Sequence, residues 1–250
     1  MLQVVESLQW IALCRPDIVL QTNSSKPETI SRGLLPSGVS VVISECKRWR
    51  TKWAHEHKKK ISNSNLEFLD IGSGDGGVLL SVSVLTSFEG GAWGVSGIEV
   101  TPGVHASSMA WLTSIRRTCP MMASAVGDIE RNLFCRDASN GTDKHVVRCF
   151  AESDVIFINN LCFDATIQAG GRTLNMKLID SMLKFCTVKE TPTLIVTTAE
   201  LTSVNTRTPM IMHGNVLSQL GSFDISHTGF NWGTGQPLKM FMHTITRARA

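Results

Sequence analysis

Residues 66–80 read Leu-Glu-Phe-Leu-Asp-Ile-Gly-Ser-Gly-Asp-Gly-Gly-Val-Leu-Leu. A compact apolar run at Leu66–Ile71 predicts a buried strand. The glycines that follow predict a tight turn, and Val78–Phe88 predicts a helix packed on a sheet. Glycine lets the backbone approach a ligand closely, and the N-terminus of the next helix offers N–H groups to it. In an open α/β sheet, ligands lie at the carboxyl ends of the strands.

The alternation continues outward. Ala92–Val100 predicts a second strand, Ala106–Arg117 a helix and Met122–Val126 a third strand. Residues 135–145 read as a polar loop insertion. Asp154–Asn159 has the fully apolar core of a buried parallel strand. Leu174–Phe185 suits a helix and Thr193–Thr198 a fifth strand. Ser222–Trp232 and Leu238–Ile245 suit two strands around a Gly-rich turn. Upstream, residues 2–14 fit a short amphipathic helix, 21–33 a loop, and 39–60 a helix whose Trp49 and Trp53 share a face. Helix-linked strands followed by a hairpin imply an α/β fold with a mostly parallel sheet and an antiparallel end.

Acids recur at the predicted strand ends. Asp70 stands two residues before Gly72, where a carboxylate can receive the amino group of a methionine tail. Glu99 ends the second strand, where it can accept ribose hydroxyls. Asp128, after the third, can accept the exocyclic amine of adenine. Gly72, Gly74 and Gly77 also fit the G-x-G-x-x-G of dinucleotide sites, and Glu99 has the spacing of their ribose acid. A nicotinamide cofactor therefore competes with S-adenosylmethionine. Asp70 favours the latter, because a carboxylate sits poorly beside a pyrophosphate. The fourth strand runs into Asn159-Asn160, an unusual end for an apolar strand.

The 250 residues are 42% hydrophobic and 18% charged, too apolar for a disordered chain. Ten Phe, six Trp and no Tyr leave any phenol role to another residue. Gly76–Phe88, the most apolar stretch, is too short to span a membrane. The N-terminus lacks the basic region and cleavage site of a signal peptide. Seven scattered cysteines without a C-x-x-C pair argue against a disulfide framework or a zinc site, and for reduced thiols. No metal is expected.

The net charge is +3, yet Lys47–Lys60 alone carries seven Lys/Arg against Glu56, so the remainder of the chain is negative. Lys47, Arg48, Arg50, Lys52, Lys58, Lys59 and Lys60 form a candidate nucleic-acid patch, since such cations neutralise phosphates without reading sequence.

FLDIGSGDGGVLL, GIEV, VGDI, VIFINNLCF and NWGTGQPLKMFMHTITR occur in an order that resembles the disruptor-of-telomeric-silencing (Dot-type) histone H3 lysine methyltransferases. The resemblance covers roughly residues 66–250 and is nearest the short kinetoplastid-like form. It implies a seven-stranded class I (Rossmann-like) S-adenosylmethionine-dependent methyltransferase fold at 61–250, preceded by an N-terminal segment at 1–60. It also implies S-adenosyl-L-methionine as cofactor, a nucleus-located enzyme, and a nucleosome as partner. By position, Asp70, Gly72, Ser73 and Gly74 would hold the methionine end, Glu99 the ribose, and Asp128 and Ile129 the adenine. Asn159 would line the methyl-transfer point, with Phe163 and Trp232 in the acceptor-lysine channel. The chain departs from the family at Ile129 (usually Phe), Gly77 (usually Gln) and Met240 (usually Tyr), and Ser37-Gly38-Val39-Ser40 only echoes the family's Tyr-Gly-Glu-Thr loop.

The implied reaction is in-line attack of a lysine amine on a sulfonium methyl. Neutral lysine is rare at pH 7, costing roughly 4–5 kcal/mol, and a narrow apolar channel favours it. The acceptor would be a lysine on the globular core of histone H3, with nucleosomal DNA on the basic patch. Two rivals stand beside this reading. One is a methyltransferase of RNA or a small molecule, although Asn159-Asn160-Leu161-Cys162 lacks the prolines and aromatic of D/N-P-P-Y. The other is a non-catalytic nucleosome-binding module.

Overall fold

The computed structural model describes residues 34–160, 173–187, 189–201, 209–229 and 237–248, with the backbone of 19–20 and 28–29. The helix expected at 2–14 lies outside these residues. Strands β1 (Val19–Leu20) and β2 (Glu28–Thr29) pair antiparallel, so part of the expected 21–33 loop is strand.

Among the described residues the main sheet has eight strands, one more than the expected seven. Five run parallel: β3 (Glu67–Ile71), β4 (Gly94–Glu99), β5 (Leu133–Cys135), β6 (Val155–Ile158) and β7 (Thr193–Thr197). Three antiparallel strands extend it: β8 (Met210–Met212), β9 (Asn215–Ile225) and β10 (Leu238–Arg247). The order is β5-β4-β3-β6-β7-β10-β9-β8. The winding reverses between β3 and β6, and a crevice for a ligand opens at that point in such sheets.

Among the described residues, six α-helices cover the two faces: α1 (Pro36–Glu56), α2 (Gly77–Phe88), α3 (Pro102–Thr118), α4 (Ala123–Asn132), α5 (Lys144–Glu152) and α6 (Leu174–Phe185). Alternate strand residues feed opposite cores. Phe68, Val95, Val155, Phe157 and Val196 pack with α1–α4, while Leu69, Ile98, Ile156, Ile158 and Ile195 pack with α5 and α6. Helix α1 joins the first core through Val39, Val42, Ile43 and Cys46, at i, i+3, i+4 and i+7. The helix stops short of the expected 60, because Lys58 turns to a positive φ of 51°.

The expected strand at Met122–Val126 is helix instead. Pro120–Met122 forms a 3-10 turn and α4 follows, burying Val126 and Ile129 three residues apart on one face. The third strand is β5, further along the chain. Residues 136–143 are therefore the ordinary β5–α5 connection, ended by Asp143, whose Oδ1 accepts from the N–H groups of His145 and Val146 at 2.9 and 3.4 Å.

Candidate active site

The glycine loop sits at the carboxyl end of β3. Gly72, Gly74 and Gly76 adopt φ of 74°, 53° and 77°, a region other residues enter at a cost. The N–H groups of Gly72 and Ser73 both donate to the Ile98 carbonyl, at 2.8 and 3.2 Å, which ties the loop to β4. Gly97 makes this seating possible, since a Cβ there would lie 2.6 Å from Leu79 and 2.7 Å from Leu133. Ser108, fully buried on α3, donates its hydroxyl to the Gly74 carbonyl.

Three carboxylates converge on this loop. Asp70 is 2% exposed, and its Oδ1 is buried without a partner. Burial pushes its pKa well up, and the carboxylates of Asp75 and Glu99 push it further. Glu99 is buried and accepts from the N–H of Gly74 at 3.1 Å and of Thr101 at 2.8 Å. Ser73 Oγ is also buried without a partner. Such a cluster is costly unless a cation and a donor complete it. The amino group and sulfonium of S-adenosylmethionine supply positive charge, so the residues present fit that group.

The end of β6 supplies a second wall. Asn160 is 1% exposed and works as a clamp. Its Oδ1 accepts from the N–H of Ala199 at 2.8 Å, and its Nδ2 donates to the Ala199 carbonyl at 3.2 Å and to Asn175 Oδ1 at 3.3 Å. This fixes the end of β6 to β7 and α6. Asn159 is half-buried, and its Oδ1 accepts the Thr198 hydroxyl at 2.9 Å, which sets the amide's orientation. Asp70 and Asn159 thus stand at neighbouring strand ends, on the two sides of the switch point.

The structure overturns two of the sequence placements. Asp128 lies on α4 rather than at a strand end. It is exposed and paired with Arg131. Ile129 is wholly buried in the core and presents no surface to a ligand. The acid after the third strand is Asp137. Its neighbour Arg136 donates an N–H to the Glu99 carbonyl at 3.0 Å, which places it beside Glu99, and the buried Ala138 follows. Asp137 Oδ1 accepts from the N–H and hydroxyl of Ser139, both at 2.8 Å. The sequence signal for it was an acid in a polar loop after Leu133-Phe134-Cys135, a strand too short to show a pattern. Thr198, Ser108 and His105, whose Nδ1 is buried without a partner, carried no signal at all. Phe163 and Trp232 lie outside the described residues.

The basic segment is at the other end of the sheet. Arg50 is 3% exposed and belongs to the core. Its guanidinium donates to Asn63 and Thr191, both at 3.3 Å, and interacts with Asp154 at the start of β6. It is not a nucleic-acid contact, because a buried arginine cannot reach a phosphate. Lys47 pairs with Glu89 and lies over the Trp93 ring. Arg48, Lys52, Lys58, Lys59 and Lys60 are exposed.

A family model described as histone methylation protein DOT1 matches residues 56–245. The chain belongs to the DOT1 family. Comparison with curated protein sequences returns no match. Among solved structures, the chain is similar to a Listeria monocytogenes protein described as a class I S-adenosylmethionine-dependent methyltransferase. That likeness has a TM-score of 0.51 and 11% identity, covering 99% of this chain and 68% of that one. It is also similar to magnesium protoporphyrin IX methyltransferase of Synechocystis PCC 6803, solved with bound S-adenosylmethionine. The TM-score there is 0.44 and the identity 10%, over 83% of this chain and 79% of that one. The Listeria likeness shows a class I methyltransferase fold. DOT1 membership and that fold together make the chain an S-adenosylmethionine-dependent methyltransferase.

Proposed function

We propose that this DOT1-family chain is a histone H3 lysine N-methyltransferase. It would act on a lysine of the globular histone core within nucleosomes, in the nucleus. The observation that carries the reading is the pair of strand ends at the switch point: the cation-seeking Asp70–Glu99 pocket beside Asn159, whose amide Thr198 orients. Family membership supports the histone as acceptor.

S-adenosylmethionine supplies an electrophilic methyl group when bound. Asp70, with Gly72, Ser73 and Gly74, holds the methionine end in this reading, and Glu99 takes the ribose. Asp137 replaces Asp128 at the adenine, with Ala138 giving apolar surface. Asn159 faces the transfer point, its amide oriented by Thr198. Phe163 and Trp232 stay proposed as channel walls. The lysine amine sheds its proton before it docks, since a dry channel favours the neutral form. Alignment at about 3–3.5 Å then supplies much of the rate.

The test is methyl transfer from labelled S-adenosylmethionine to nucleosomes, beside free histone H3. Label on H3 in nucleosomes, lost in Asn159→Ala while cofactor affinity holds, is the expected result. Asp137→Ala should weaken cofactor binding and Asp128→Ala should leave it unchanged. No label on H3 with normal cofactor binding would refute the histone acceptor and favour an RNA or small-molecule substrate.

A further inference from the structure

At the end of the sheet remote from the glycine loop, α1 and the β9–β10 pair border a cavity of about 340 Å³. None of its lining residues belongs to the glycine loop or the end of β6. Trp49 and Trp53 form one wall, four residues apart on the same helical face. Leu220, Thr244 and Thr246 form the other. A register shift opposite Met242 and His243 leaves Leu220 as the extra residue of a β-bulge, and a bulge re-aims its side chain. Leu220 is 37% exposed as a result.

We propose that this cavity receives an unstacked nucleobase of a single-stranded nucleic acid, whose phosphates run along the exposed cations of the same segment. The volume is in the range of small-molecule sites. The two indoles are half-buried and line the cavity, and stacking on such rings is the common mode of single-strand binding. His57 stacks on the Trp53 ring at 4.4 Å and 16°, which holds it in place. Thr244 already donates its hydroxyl to the Thr193 carbonyl at 3.3 Å, so it meets a base edge as an acceptor, and Thr246 meets it as either partner.

Charge selects the ligand. Indole faces also attract quaternary ammonium groups. Here, however, Lys52 lines the cavity, and the exposed Arg48, Lys58, Lys59 and Lys60 belong to the same basic segment. The one carboxylate lining the cavity, Glu56, is opposed by Lys52 at 3.9 Å. A second cation is repelled, whereas a phosphodiester is drawn in. A duplex keeps its bases stacked and brings nothing to fill the cavity. The inference extends the phosphate-contact reading of the segment and is independent of methyl transfer, so the two fail in different assays.

The experiment is fluorescence anisotropy of the whole chain with a labelled 12-nucleotide single strand, as RNA and as DNA, against a duplex of the same sequence. Single strands should bind at least about tenfold tighter than the duplex. Trp53→Leu should weaken them about 5- to 150-fold and leave duplex binding alone. Should that variant fold poorly, Thr246→Glu should give the same split. On the unaltered chain, adenosine monophosphate should quench tryptophan fluorescence and ribose 5-phosphate should not. Equal affinity for single strand and duplex, or quenching by tetramethylammonium but not by the nucleotide, would overturn the proposal.

Discussion

At the scale of single residues, the site is built from groups that the ligand-free fold holds at a cost. Asp70 is the clearest. Its folded pKa is raised by burial and by Asp75 and Glu99, so the folded chain holds a proton that the unfolded chain releases. Stability from this group is present below its ordinary value of 3.8 and is lost as pH rises through the folded value. Asp70→Asn removes that loss. The ligand-free melting temperature at pH 8 should rise, while affinity for S-adenosylmethionine falls about tenfold to a hundredfold, the worth of a charge-assisted bond. Calorimetry and titration read the two effects separately. A lower melting temperature with unchanged affinity would make Asp70 a structural residue. Arg50 shows the opposite case. Within a run of seven basic residues nothing marks it out. Its i+4 spacing from Cys46 on a buried face, and the polar groups that meet it from distant segments, decide its role.

At the scale of elements, β10 carries the most consequential tension. His243 is fully buried between β7 and β9, where its ring meets little beyond the backbone of Ile195. Burial moves its pKa from 6.5 to about 4. The folded chain thus refuses a proton that the unfolded chain takes up, and stability falls as pH drops from 6.5 to about 4, by roughly 3 kcal/mol in full. His243→Phe should flatten this arm of a stability–pH curve followed by urea unfolding. An unchanged acid arm would show that other groups set it. The same scale explains which elements could be read in advance. Leu174–Phe185 is a helix with the bounds its periodicity predicts, because its apolar face is regular and Thr173 caps it. Strand β5 escaped because three residues cannot show alternation, and the apolar residues of Met122–Val126 suit a helix as well as a strand. That one misplaced strand carried Asp128 and Ile129 with it. Strand β8 escaped too, although His213-Gly214, with φ of 54° and 75°, is a two-residue hairpin turn of the kind such strands need.

At the scale of the whole molecule, the sheet separates two kinds of chemistry. Its carboxyl end gathers the carboxylates and Asn159, where a cation-bearing ligand is wanted. Its amino end gathers the exposed cations, anchored by Arg50 and by Lys189, which pairs with Asp154 at 3.0 Å. Helix α1 links them, because Gly38 lies against Gly229 near the start of the helix while Arg50 reaches Asn63 and Thr191 near its end. A polyanion on one end therefore leaves the other open to an acceptor. Replacing Lys58, Lys59 and Lys60 by Ala tests this division. Each phosphate contact contributes about 0.9 to the slope of log affinity against log salt on duplex DNA, so the triple variant should lower the nucleosome slope by about 2–3. Turnover at saturating nucleosome should hold, since none of the three lysines is near Asp70 or Asn159 in the sheet. A slope that stays the same would take these lysines out of the interface. A collapse in turnover at unchanged slope would mean that the two ends are coupled through α1, whose first turn meets the chain after β9.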